Sequence, residues 1–371
     1  MSAPPVRVLH VLHTLGVGGA ERRVLRLGQG LDAGRYDVHA LTLRPTVGAE
    51  LPWPAARHTH FPISSGVHPD RLVALSRFMR RGRFRIVHTH NWATMFYGVL
   101  AARLAGVPVV LHGEHGRNDV DRVGISFKRE AFAALLARLA TRVVAVNESI
   151  AADVQARWRL SAGSLVCLPN GVDLARFGPP TGGGEPRLDF VIGTIARFDR
   201  IKNLPCLIRA FELLHDTHAQ RGVRLVIVGS GPDFGAIQTM AQQSRAAASI
   251  ELVGETDVPQ QWYARFDVFA STSFSEGMSN SVLEAMACGL PIVASAIAGH
   301  QCWLRENENT LFFPSDDAAA LADCLARLVS DQALAQRMGA QNLRRVQAEY
   351  DNRHFLAGYD ALYHQLLPRG S

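Results

Sequence analysis

Residues 274–295 read FSEGMSNSVLEAMACGLPIVAS and contain a polar loop, a short apolar helix and a strand. The segment before them, DVFAST, is typical of a strand, and Gly289 and Pro291 are expected to end the helix before PIVAS begins the next strand. Strand, loop and helix in this order form the repeating unit of an open parallel sheet, in which ligands bind beyond the carboxyl ends of the strands. Backbone N–H groups near Asn280 and Ser281 are therefore expected to face a ligand, and a helix N-terminus favours an anion.

The same stretch holds two carboxylates, Glu276 and Glu284, eight residues apart. A carboxylate would repel a bound phosphate, so both are expected to bind hydroxyl groups instead. Glu284, about one turn into the helix, could accept two hydroxyls of a ribose, and Glu276, in the loop, could hold the hydroxyls of a sugar. A second interpretation stays open, because Ser281 and Glu284 also match a capping box, in which Glu284 only satisfies backbone donors.

The alternation of strands and helices extends in both directions along the chain. It runs from VRVLHVLH at 6–13 to RVVAVN at 142–147, and it resumes at FVIGTIAR, 190–197, after a segment rich in proline and glycine. We therefore predict an α/β protein with two doubly wound domains that face each other across a cleft. The predicted domains are residues 1–175 and 176–350, with a C-terminal helix in about 351–371 that returns to the first domain.

Composition and charge limit the class of protein. The chain has 371 residues, 47% apolar and 19% charged, and no apolar run approaches the roughly 18–20 residues of a membrane span. The N-terminus lacks the features of an export signal, so we expect a cytoplasmic protein. Five cysteines without a CxxC pair indicate neither a disulfide framework nor a zinc ribbon. The net charge of +6 suits a phosphate-bearing substrate or an anionic membrane surface, and no nucleic-acid partner is expected.

Cations follow the first strand of the second domain, in IGTIARFDRIKN at 192–203. Arg197 and Lys202 lie five residues apart, and two such cations in one loop can hold both phosphates of a nucleoside diphosphate. Only two of the 39 basic residues are lysines, which favours a specific use for Lys202. The alternative is that both are solvated loop cations.

Several segments together resemble glycosyltransferase family 4. They are NGVD (170–173), the Gly193, Arg197 and Lys202 group, LVIVGSGP (225–232), VGETDV (253–258) and SEGMSNSVLEAMACGLPIVAS (275–295). The resemblance spans nearly the whole chain and depends most on the two glutamates separated by seven residues. It implies the GT-B fold of two Rossmann-like domains, transfer with retention of configuration, a nucleotide-diphosphate sugar bound by the second domain and an acceptor bound by the first.

The resemblance also implies a role for individual residues. Arg197 and Lys202 would bind the diphosphate, Glu284 the ribose, Glu276 with the backbone of the next two residues the transferred sugar, and Val253 would face the base. The implied catalytic residues are His115, Glu276, Arg197 and Lys202. The implied donor-binding residues are Gly18, Gly19, Gly193, Arg197, Lys202, Val253, Glu276, Gly277, Met278, Asn280, Ser281 and Glu284.

A glycine-rich turn, HTLGVGGAERR at 13–23, follows the first strand. It is similar to a dinucleotide-binding fingerprint, but Glu21 occupies the position of the third glycine, so NAD binding is not expected. In the resembling family this loop closes over the diphosphate, which Gly18 and Gly19 could do with their bare backbone. A tight turn between strand and helix would need the same glycines.

Histidines collect at three predicted strand ends: His13, His88, His90, His112 and His115. The carboxyl ends of parallel strands share one edge of a sheet, so we expect these side chains to point toward one crevice. We expect His13, His90 and Asn118 to bind the acceptor. The resemblance implies a histidine near the donor sugar, and His115 is preferred over His112, which could still lie within its strand.

No metal ion is expected. The histidine spacings allow zinc, but no cysteine or second carboxylate completes a tetrahedral set. Asp119 and Asp121 match the metal-binding DxD of the other large glycosyltransferase fold, but they fall in a loop of the first domain. The resemblance instead implies that a departing diphosphate, stabilised by cations and helix N–H groups, takes the proton of the acceptor.

The leading hypothesis is a retaining glycosyltransferase that elongates a bacterial surface polysaccharide on a glycan or lipid-linked acceptor. HGEHGRN, 112–118, is similar to exopolysaccharide-pathway enzymes. Residues 71–85 interleave arginine with leucine, phenylalanine and methionine, as a peripheral membrane helix or an ordinary surface helix would. The alternatives are a GT-B synthase with a small soluble acceptor and a non-catalytic nucleotide-sugar-binding partner.

Overall fold

The computed structural model describes residues 4–16, 18–46, 49–116, 127–180, 189–218 and 222–368. These residues divide into two compact units. The N-terminal unit contains the described residues up to Asn170 together with 353–368, and the C-terminal unit contains those from Gly171 to Asn352. Each unit is built around one parallel sheet.

The N-terminal unit has a seven-stranded sheet with the strand order β3-β2-β1-β4-β5-β6-β7. Its strands are β1 (Val6–Leu12), β2 (Tyr36–Thr42), β3 (His58–His60), β4 (Ile86–His90), β5 (Val109–Glu114), β6 (Arg142–Ala145) and β7 (Leu165–Cys167). Strands such as β1 and β4 are nearly continuous runs of buried residues, because helices cover both faces of a parallel sheet. The strand order reverses between β1 and β4, which places a ligand-binding crevice at their carboxyl ends.

The helices of this unit are α1 (Gly19–Gly30), α2 (Pro69–Arg81), α3 (Trp92–Ala105), α4 (Phe127–Leu139) and α5 (Glu148–Trp158), with 3₁₀ turns at Ala55–Arg57 and Ala162–Ser164. Their ends follow local chemistry. The Asn147 side chain caps α5 by accepting a hydrogen bond from the Ile150 N–H at 2.8 Å. Gly106 ends α3 in the left-handed conformation, with φ of 75°.

The C-terminal unit has a six-stranded parallel sheet with the order β10-β9-β8-β11-β12-β13. Its strands are β8 (Phe190–Ile195), β9 (Val223–Val228), β10 (Ile250–Gly254), β11 (Val268–Ser271), β12 (Ile292–Ser295) and β13 (Thr310–Phe313). Its helices are α6 (Leu204–His218), α7 (Phe234–Gln243), α8 (Pro259–Tyr263), α9 (Asn280–Ala287), α10 (Ala298–Gln301), α11 (Ala318–Ser330) and α12 (Gln332–Arg345), with 3₁₀ turns at Arg200–Lys202 and Ala247–Ser249 and a π turn at Val346–Tyr350. Here the strand order reverses between β8 and β11.

The last helix, α13 (Asn352–Leu366), belongs to the N-terminal unit from Arg353 onward. Its Tyr359 hydroxyl accepts a hydrogen bond from the buried Arg23 guanidinium at 3.0 Å, and Asp360 pairs with Arg35 at 2.8 Å. Its apolar side chains complete the core on one face of the N-terminal sheet. The predicted α/β architecture of two doubly wound units with a returning C-terminal helix is confirmed.

Helix α2 covers most of the segment 71–85, for which a membrane-surface helix and an ordinary surface helix are both predicted. Leu75 and Met79 are fully buried, and Leu72 and Phe78 pack against the same core. Val73, at 43%, is the large apolar side chain of α2 that is exposed. These contacts favour an ordinary amphipathic surface helix, and contact of its arginines with lipid headgroups stays a prediction.

Candidate active site

The candidate site of the C-terminal unit lies where its strand order reverses, beyond the carboxyl ends of β8 and β11. A small depression there is lined by Thr194, Lys202, Ser271, Ser273, Glu276 and Ser281, among others. Three of these residues were predicted from the sequence as donor-binding. The switch point of a parallel sheet thus brings together residues more than seventy positions apart.

Lys202 and Glu276 form an ion pair at the centre of this depression. The Lys202 Nζ donates to Glu276 Oε1 at 2.5 Å, and the Ser273 hydroxyl donates to the same oxygen at 2.7 Å. Burial alone would raise the pKa of the Glu276 carboxyl, but Lys202, His300 and the two hydrogen bonds outweigh it and hold the pKa below its usual value. Glu276 is therefore an ionised acceptor at neutral pH, as hydroxyl binding requires.

Two residues that sequence reasoning missed support the Glu276 loop from behind. His300 in α10 is fully buried, and one of its ring nitrogens lies 2.9 Å from the Ser295 carbonyl oxygen. Its neighbour Gly299 packs directly against the loop, since a Cβ atom there would collide with the Glu276 carbonyl oxygen. The sequence contains a signal for both residues, because Gly299 and His300 come shortly after the strand PIVAS, at the same sheet edge.

Arg197 lies at the same sheet edge but in a separate ion pair. Its side chain is 69% exposed, and its Nε and Nη2 both lie 2.7 Å from the Asp199 Oδ2. Asp199 also caps the 3₁₀ turn that carries Lys202, by accepting from the Lys202 N–H at 3.3 Å. The two predicted phosphate ligands are thus on one loop, but in this arrangement Arg197 pairs with Asp199 and Lys202 with Glu276.

The lysine loop and the glutamate loop are tied to each other through the backbone. The Thr272 hydroxyl donates to the Lys202 carbonyl oxygen at 2.7 Å, and the Phe274 N–H donates to the Ile201 carbonyl oxygen at 2.7 Å. These bonds fix the separation of Lys202 from Glu276 independently of their own charge pair. The site is therefore preorganised by main-chain contacts.

The position of Gly193 differs from the predicted one, and its role in donor binding stays a prediction. Gly193 lies inside β8, not after it, and a Cβ atom there would collide with the Phe266 ring. The absence of a side chain therefore serves packing within the unit. Two other glycines approach the Arg197 loop, because Cβ atoms at Gly229 and Gly231 would collide with the carbonyl oxygens of residues 196 and 198.

Helix α9 presents its N-terminus at the same edge. Ser279 is the N-cap and accepts from the Val282 N–H at 3.5 Å, so the capping box of Ser281 and Glu284 does not form. Asn280 and Ser281 are the first two residues of the helix, where backbone N–H groups point away from the helix body. The capping interpretation of Glu284 is therefore wrong.

Glu284 lies one turn into α9, with 6% of its surface exposed. The Tyr263 hydroxyl donates to Glu284 Oε2 at 3.0 Å and also lies 3.1 Å from the Ser281 carbonyl oxygen. Tyr263 was missed because α8 is only five residues long and carries no periodic pattern. This tyrosine fixes the orientation of the carboxylate from the inner side.

The remaining predicted donor residues of this unit also lie at the sheet edge. Gly277 and Met278 are buried in the loop between Glu276 and α9. Val253 is partly buried near the end of the edge strand β10, which Gly254 closes with a φ of 82°. Their positions agree with the predicted arrangement of sugar, phosphate and base, but their roles stay predictions.

In the N-terminal unit, Gly18 is the N-cap of α1 and Gly19 its first residue. A Cβ atom at Gly18 would collide with the Glu21 side chain, which folds back onto this turn. His13, after β1, is exposed, and partial desolvation of its ring together with the charge of Arg44 lowers its pKa. These three residues lie at the carboxyl end of β1, the predicted side for ligand binding.

The histidines do not all point into one crevice. His112 lies inside β5 on the opposite face of the sheet from His90, with its ring nitrogens 2.8 Å from Thr89 Oγ1 and 3.0 Å from Glu114 Oε1. His115 follows the strand and is partly buried. The preference for His115 agrees with this placement, because the side chain of His112 is enclosed within the unit.

His90 was predicted to contact the acceptor, and this is corrected by its burial. It is 2% exposed, with Nε2 at 2.9 Å from His10 Nδ1 and Nδ1 at 2.8 Å from His115 Nε2. Both ring nitrogens are thus occupied by other histidines. His10 was missed because it lies in the middle of β1, where an apolar run predicts only core.

One ring nitrogen from each of His10, His88 and His90 lies within 4.8 Å of the other two, a spacing that a metal ion could use. Burial, together with Arg23, lowers the pKa of His10 to about 3, and burial is also the main cause that lowers those of His88 and His90. Neutral imidazoles can ligate metals, but the absence of a metal requirement stays our prediction. Asn118, Asp119 and Asp121 lie outside the described residues.

Among the described residues, no helix combines the length and the apolarity needed to cross a membrane. This finding concerns membrane-spanning helices alone.

Comparison with known proteins gives the same assignment for both halves of the chain. A model described as Glycosyltransferase Family 4 matches residues 17–176, and one described as Glycosyl transferases group 1 matches residues 189–331. The chain is 31% identical over 317 residues to the putative glycosyltransferase EpsF of Bacillus subtilis (strain 168), covering 80% of each protein. It is 27% identical over 275 residues to the UDP-Gal:alpha-D-GlcNAc-diphosphoundecaprenol alpha-1,3-galactosyltransferase of Escherichia coli, covering 71% of each.

Among solved structures, Anabaena Alr3699/HepE in complex with UDP and glucose matches with a TM-score of 0.81 at 16% identity, covering 97% of this chain and 99% of that one. At this identity the match concerns the fold, which is GT-B. From the two matched halves and the relative above 30% identity over most of its length, we conclude that the chain belongs to glycosyltransferase family 4 and is a glycosyltransferase.

Proposed function

We propose that the protein transfers a sugar, with retention of configuration, from a nucleotide-diphosphate sugar to a glycan or lipid-linked acceptor in bacterial surface polysaccharide synthesis. In this proposal the C-terminal unit binds the donor and the N-terminal unit binds the acceptor. The observation that carries it is the Lys202–Glu276 pair at the switch point of the C-terminal sheet, next to the N-terminus of α9.

The chemistry of this site fits a nucleotide sugar in three parts. The Lys202 ammonium and the N–H groups of α9 supply positive charge for a diphosphate. The Glu276 carboxylate, held ionised, accepts hydrogen bonds from hydroxyls of the sugar. Glu284, oriented by Tyr263, lies one turn further along α9, where the ribose hydroxyls would fall.

The reaction then needs little covalent chemistry from the protein. The bond between the anomeric carbon and the phosphate oxygen breaks, and a bond forms between that carbon and an acceptor hydroxyl oxygen on the same face. The hydroxyl proton passes to the departing diphosphate, whose charge Lys202 and Arg197 stabilise. Arg197 would leave Asp199 to reach the phosphate, and its exposed side chain allows this movement. We propose that no metal ion takes part.

The names of related proteins support the nucleotide and the acceptor. The Escherichia coli relative uses UDP-Gal and a diphosphoundecaprenol-linked acceptor, and the Anabaena structure contains UDP and glucose. We therefore propose uridine as the base and a polyprenyl-diphosphate-linked glycan as the acceptor. The similarity to EpsF is in keeping with an exopolysaccharide pathway.

A synthase with a small soluble acceptor is the second candidate, and one observation favours it. Apart from Val73, the large apolar side chains of α2 are used by the core, so this helix offers arginines but little apolar surface to a membrane. Charge reversal at Arg77 and Arg81 tests the point by vesicle sedimentation. Arg80 is left unchanged, because it donates to the Leu104 carbonyl oxygen at 2.6 Å and so supports α3. Unchanged binding to anionic vesicles would favour the soluble acceptor.

The proposal is tested by screening UDP-, GDP- and ADP-sugars for thermal stabilisation and slow donor hydrolysis. A ligand at a hundred times its Kd stabilises the folded protein by about 2.7 kcal/mol. We expect a UDP-sugar to give the largest shift, and NMR of the first-formed product to show the same anomeric configuration as the donor. An excess of EDTA should leave the rate unchanged. No stabilisation by any nucleotide sugar would contradict the proposal, as would an inverted product.

A further inference from the structure

Three histidine side chains form a hydrogen-bonded chain through the N-terminal unit. His10 Nδ1 lies 2.9 Å from His90 Nε2, and His90 Nδ1 lies 2.8 Å from His115 Nε2. His10 and His90 are buried, whereas His115 is partly exposed beyond the carboxyl end of β5. The chain therefore connects the interior of the sheet with the residue that we place near the substrate.

The backbone leaves room for this chain at one position. Gly113 pairs with His90 across β4 and β5, and a Cβ atom there would lie 3.0 Å from His115 Nε2 and 3.2 Å from His90 Nδ1. Contacts that short are tighter than ordinary van der Waals contact. The glycine thus allows the imidazole rings to approach each other.

A chain of neutral imidazoles has a direction. Each neutral ring carries one N–H and one lone pair, so both hydrogen bonds must run the same way. If they run outward, His10 Nε2 keeps a lone pair, and His115 carries its proton on Nδ1. If they run inward, His10 Nε2 carries the proton, and His115 Nδ1 keeps the lone pair.

The buried end decides between the two directions. Among the described residues, no hydrogen-bond partner lies within reach of His10 Nε2. An orphaned N–H is rarer in protein interiors than an under-satisfied acceptor, so a lone pair is favoured there.

We propose that His10 and His90 are positioning residues that hold His115 in the tautomer with its proton on Nδ1. His115 then presents a hydrogen-bond donor to an oxygen of the substrate, and in this state it cannot act as a general base. This inference rests on the proposed function for the statement that His115 meets the substrate. It is consistent with transfer of the acceptor proton to the diphosphate.

The first test reads the tautomer directly. NMR of the imidazole ring nitrogens of the full chain, at neutral pH and without ligand, should show His115 protonated on Nδ1. An Nε2-protonated or charged His115 would overturn the proposal. Because this measurement needs neither donor nor acceptor, it can fail while the proposed function stands, and the reverse is also true.

The second test separates positioning from packing with two matched variants. His88 lies on the same strand and face as His90 and is fully buried. Among the described residues neither of its ring nitrogens has a hydrogen-bond partner, so His88 is not part of the histidine chain. We expect His90→Phe to release the His115 tautomer and to lower kcat by about tenfold or more with a smaller change in KM, as misplaced contacts do. His88→Phe should retain the tautomer signal and most of kcat.

Equal losses of kcat in the two variants would overturn the proposal, because they would assign the effect to packing. Metal analysis of the purified protein supplies a further outcome. A stoichiometric transition metal that His90→Phe and His88→Phe both remove would overturn it too, since a ring nitrogen bound to a metal cannot also accept the hydrogen bond.

Discussion

At the scale of single residues, the proposed donor site depends on a carboxylate and an ammonium held together where both are partly shielded from water. The side chains of Lys202 and Glu276 are 23% and 12% exposed. Each supplies the charge that makes the burial of the other tolerable, so removing one leaves the other unpaired. A bound diphosphate would take over the lysine and leave the glutamate to the sugar.

The Lys202–Glu276 pair predicts a dependence of stability on acidity. The folded-state pKa of Glu276 is below the ordinary value of 4.5, so its contribution to the free energy of unfolding is complete above that value and is lost as the pH falls through the folded pKa. Urea unfolding between about pH 3 and 6, where glutamate carboxyls titrate, measures the free energy of unfolding as a function of pH. This free energy should depend less steeply on pH in Glu276→Gln than in the wild type. Glu308→Gln, at an exposed position, is the control and should keep the wild-type slope.

Lys202→Ala is expected to lower kcat more than it weakens the affinity for the nucleotide, because in the proposed reaction the ammonium would stabilise the charge that develops on the leaving diphosphate. Loss of one such contact costs on the order of 100-fold in kcat. Lys202→Arg keeps the charge on a differently shaped head group and should recover part of the rate. Steady-state kinetics with calorimetric binding of UDP checks this, and equal losses in both variants and in both quantities would contradict it.

Glu284→Ala is expected to weaken nucleotide binding because, in the proposed site, two ribose hydroxyls would lose their acceptor. The matched variant is Tyr263→Phe, which removes only the hydroxyl that donates to Glu284 Oε2. That hydrogen bond contributes about 1 kcal/mol, or a factor of about 5 in Kd. Titration calorimetry with UDP should therefore rank the wild type first, Tyr263→Phe second and Glu284→Ala last. If Glu284→Ala bound UDP with the affinity of the wild type, the proposed role of Glu284 in ribose binding would be contradicted.

Residue identities were predictable where a charge had to stand at a sheet edge, and less so where packing decides. The sequence placed Lys202, Glu276 and Glu284 together because strand ends can be read from local patterns. It could not show that Gly193 makes room for Phe266, which lies 73 positions further along the chain. It also could not show the burial of His90, because the sequence pattern around a histidine near a strand end is the same whether the side chain faces a ligand or other buried side chains.

At the scale of elements, the position of the Glu276 loop depends on close contact with α10. Gly299→Ala should displace this loop, because the added Cβ collides with the Glu276 carbonyl oxygen, a backbone atom that cannot rotate away. Gly235→Ala in α7 is the control, since no atom lies within 4 Å of its Cβ position. In Gly299→Ala, both the unfolding temperature and the rate of donor hydrolysis should fall. Gly235→Ala should gain up to about 1 kcal/mol and keep full activity.

The long elements were predictable from periodicity, whereas short edge strands were not. The strands β3, β7 and β13 have three or four residues each and were not predicted. A segment that short shows no alternation and forms only because the neighbouring strand offers a free edge. The buried runs of β1, β8 and β9 carry the pattern in their own sequence, as both faces of a parallel sheet are covered.

At the scale of the whole molecule, the chain closes the N-terminal unit with its last helix. Arg23, 1% exposed, donates to Tyr359 of α13 and to the Leu168 carbonyl oxygen near the point where the chain enters the C-terminal unit. The same guanidinium lies 4.9 Å from the Phe355 ring centroid. One buried cation thus joins α1, α13 and the end of the first half of the chain.

These contacts of Arg23 predict that substitutions at two neighbouring residues of α13 will differ widely in how much they destabilise the unit. Tyr359→Phe removes the acceptor of a buried guanidinium and should destabilise the N-terminal unit by about 1–3 kcal/mol. Asp360→Asn weakens a pair with Arg35 that is largely exposed and should cost less than about 1 kcal/mol. Differential scanning calorimetry, which resolves the transitions of separate units, checks the order. Equal shifts in the two variants would contradict the role given to Arg23.

The most direct measurement is a crystal structure of the protein with a bound UDP-sugar. The account predicts the diphosphate within hydrogen-bond distance of Lys202 and the N–H groups at the start of α9, ribose hydroxyls on Glu284 and sugar hydroxyls on Glu276. A donor bound to the same unit with its diphosphate away from Lys202 and α9, or a donor whose sugar makes no contact with Glu276, would contradict it.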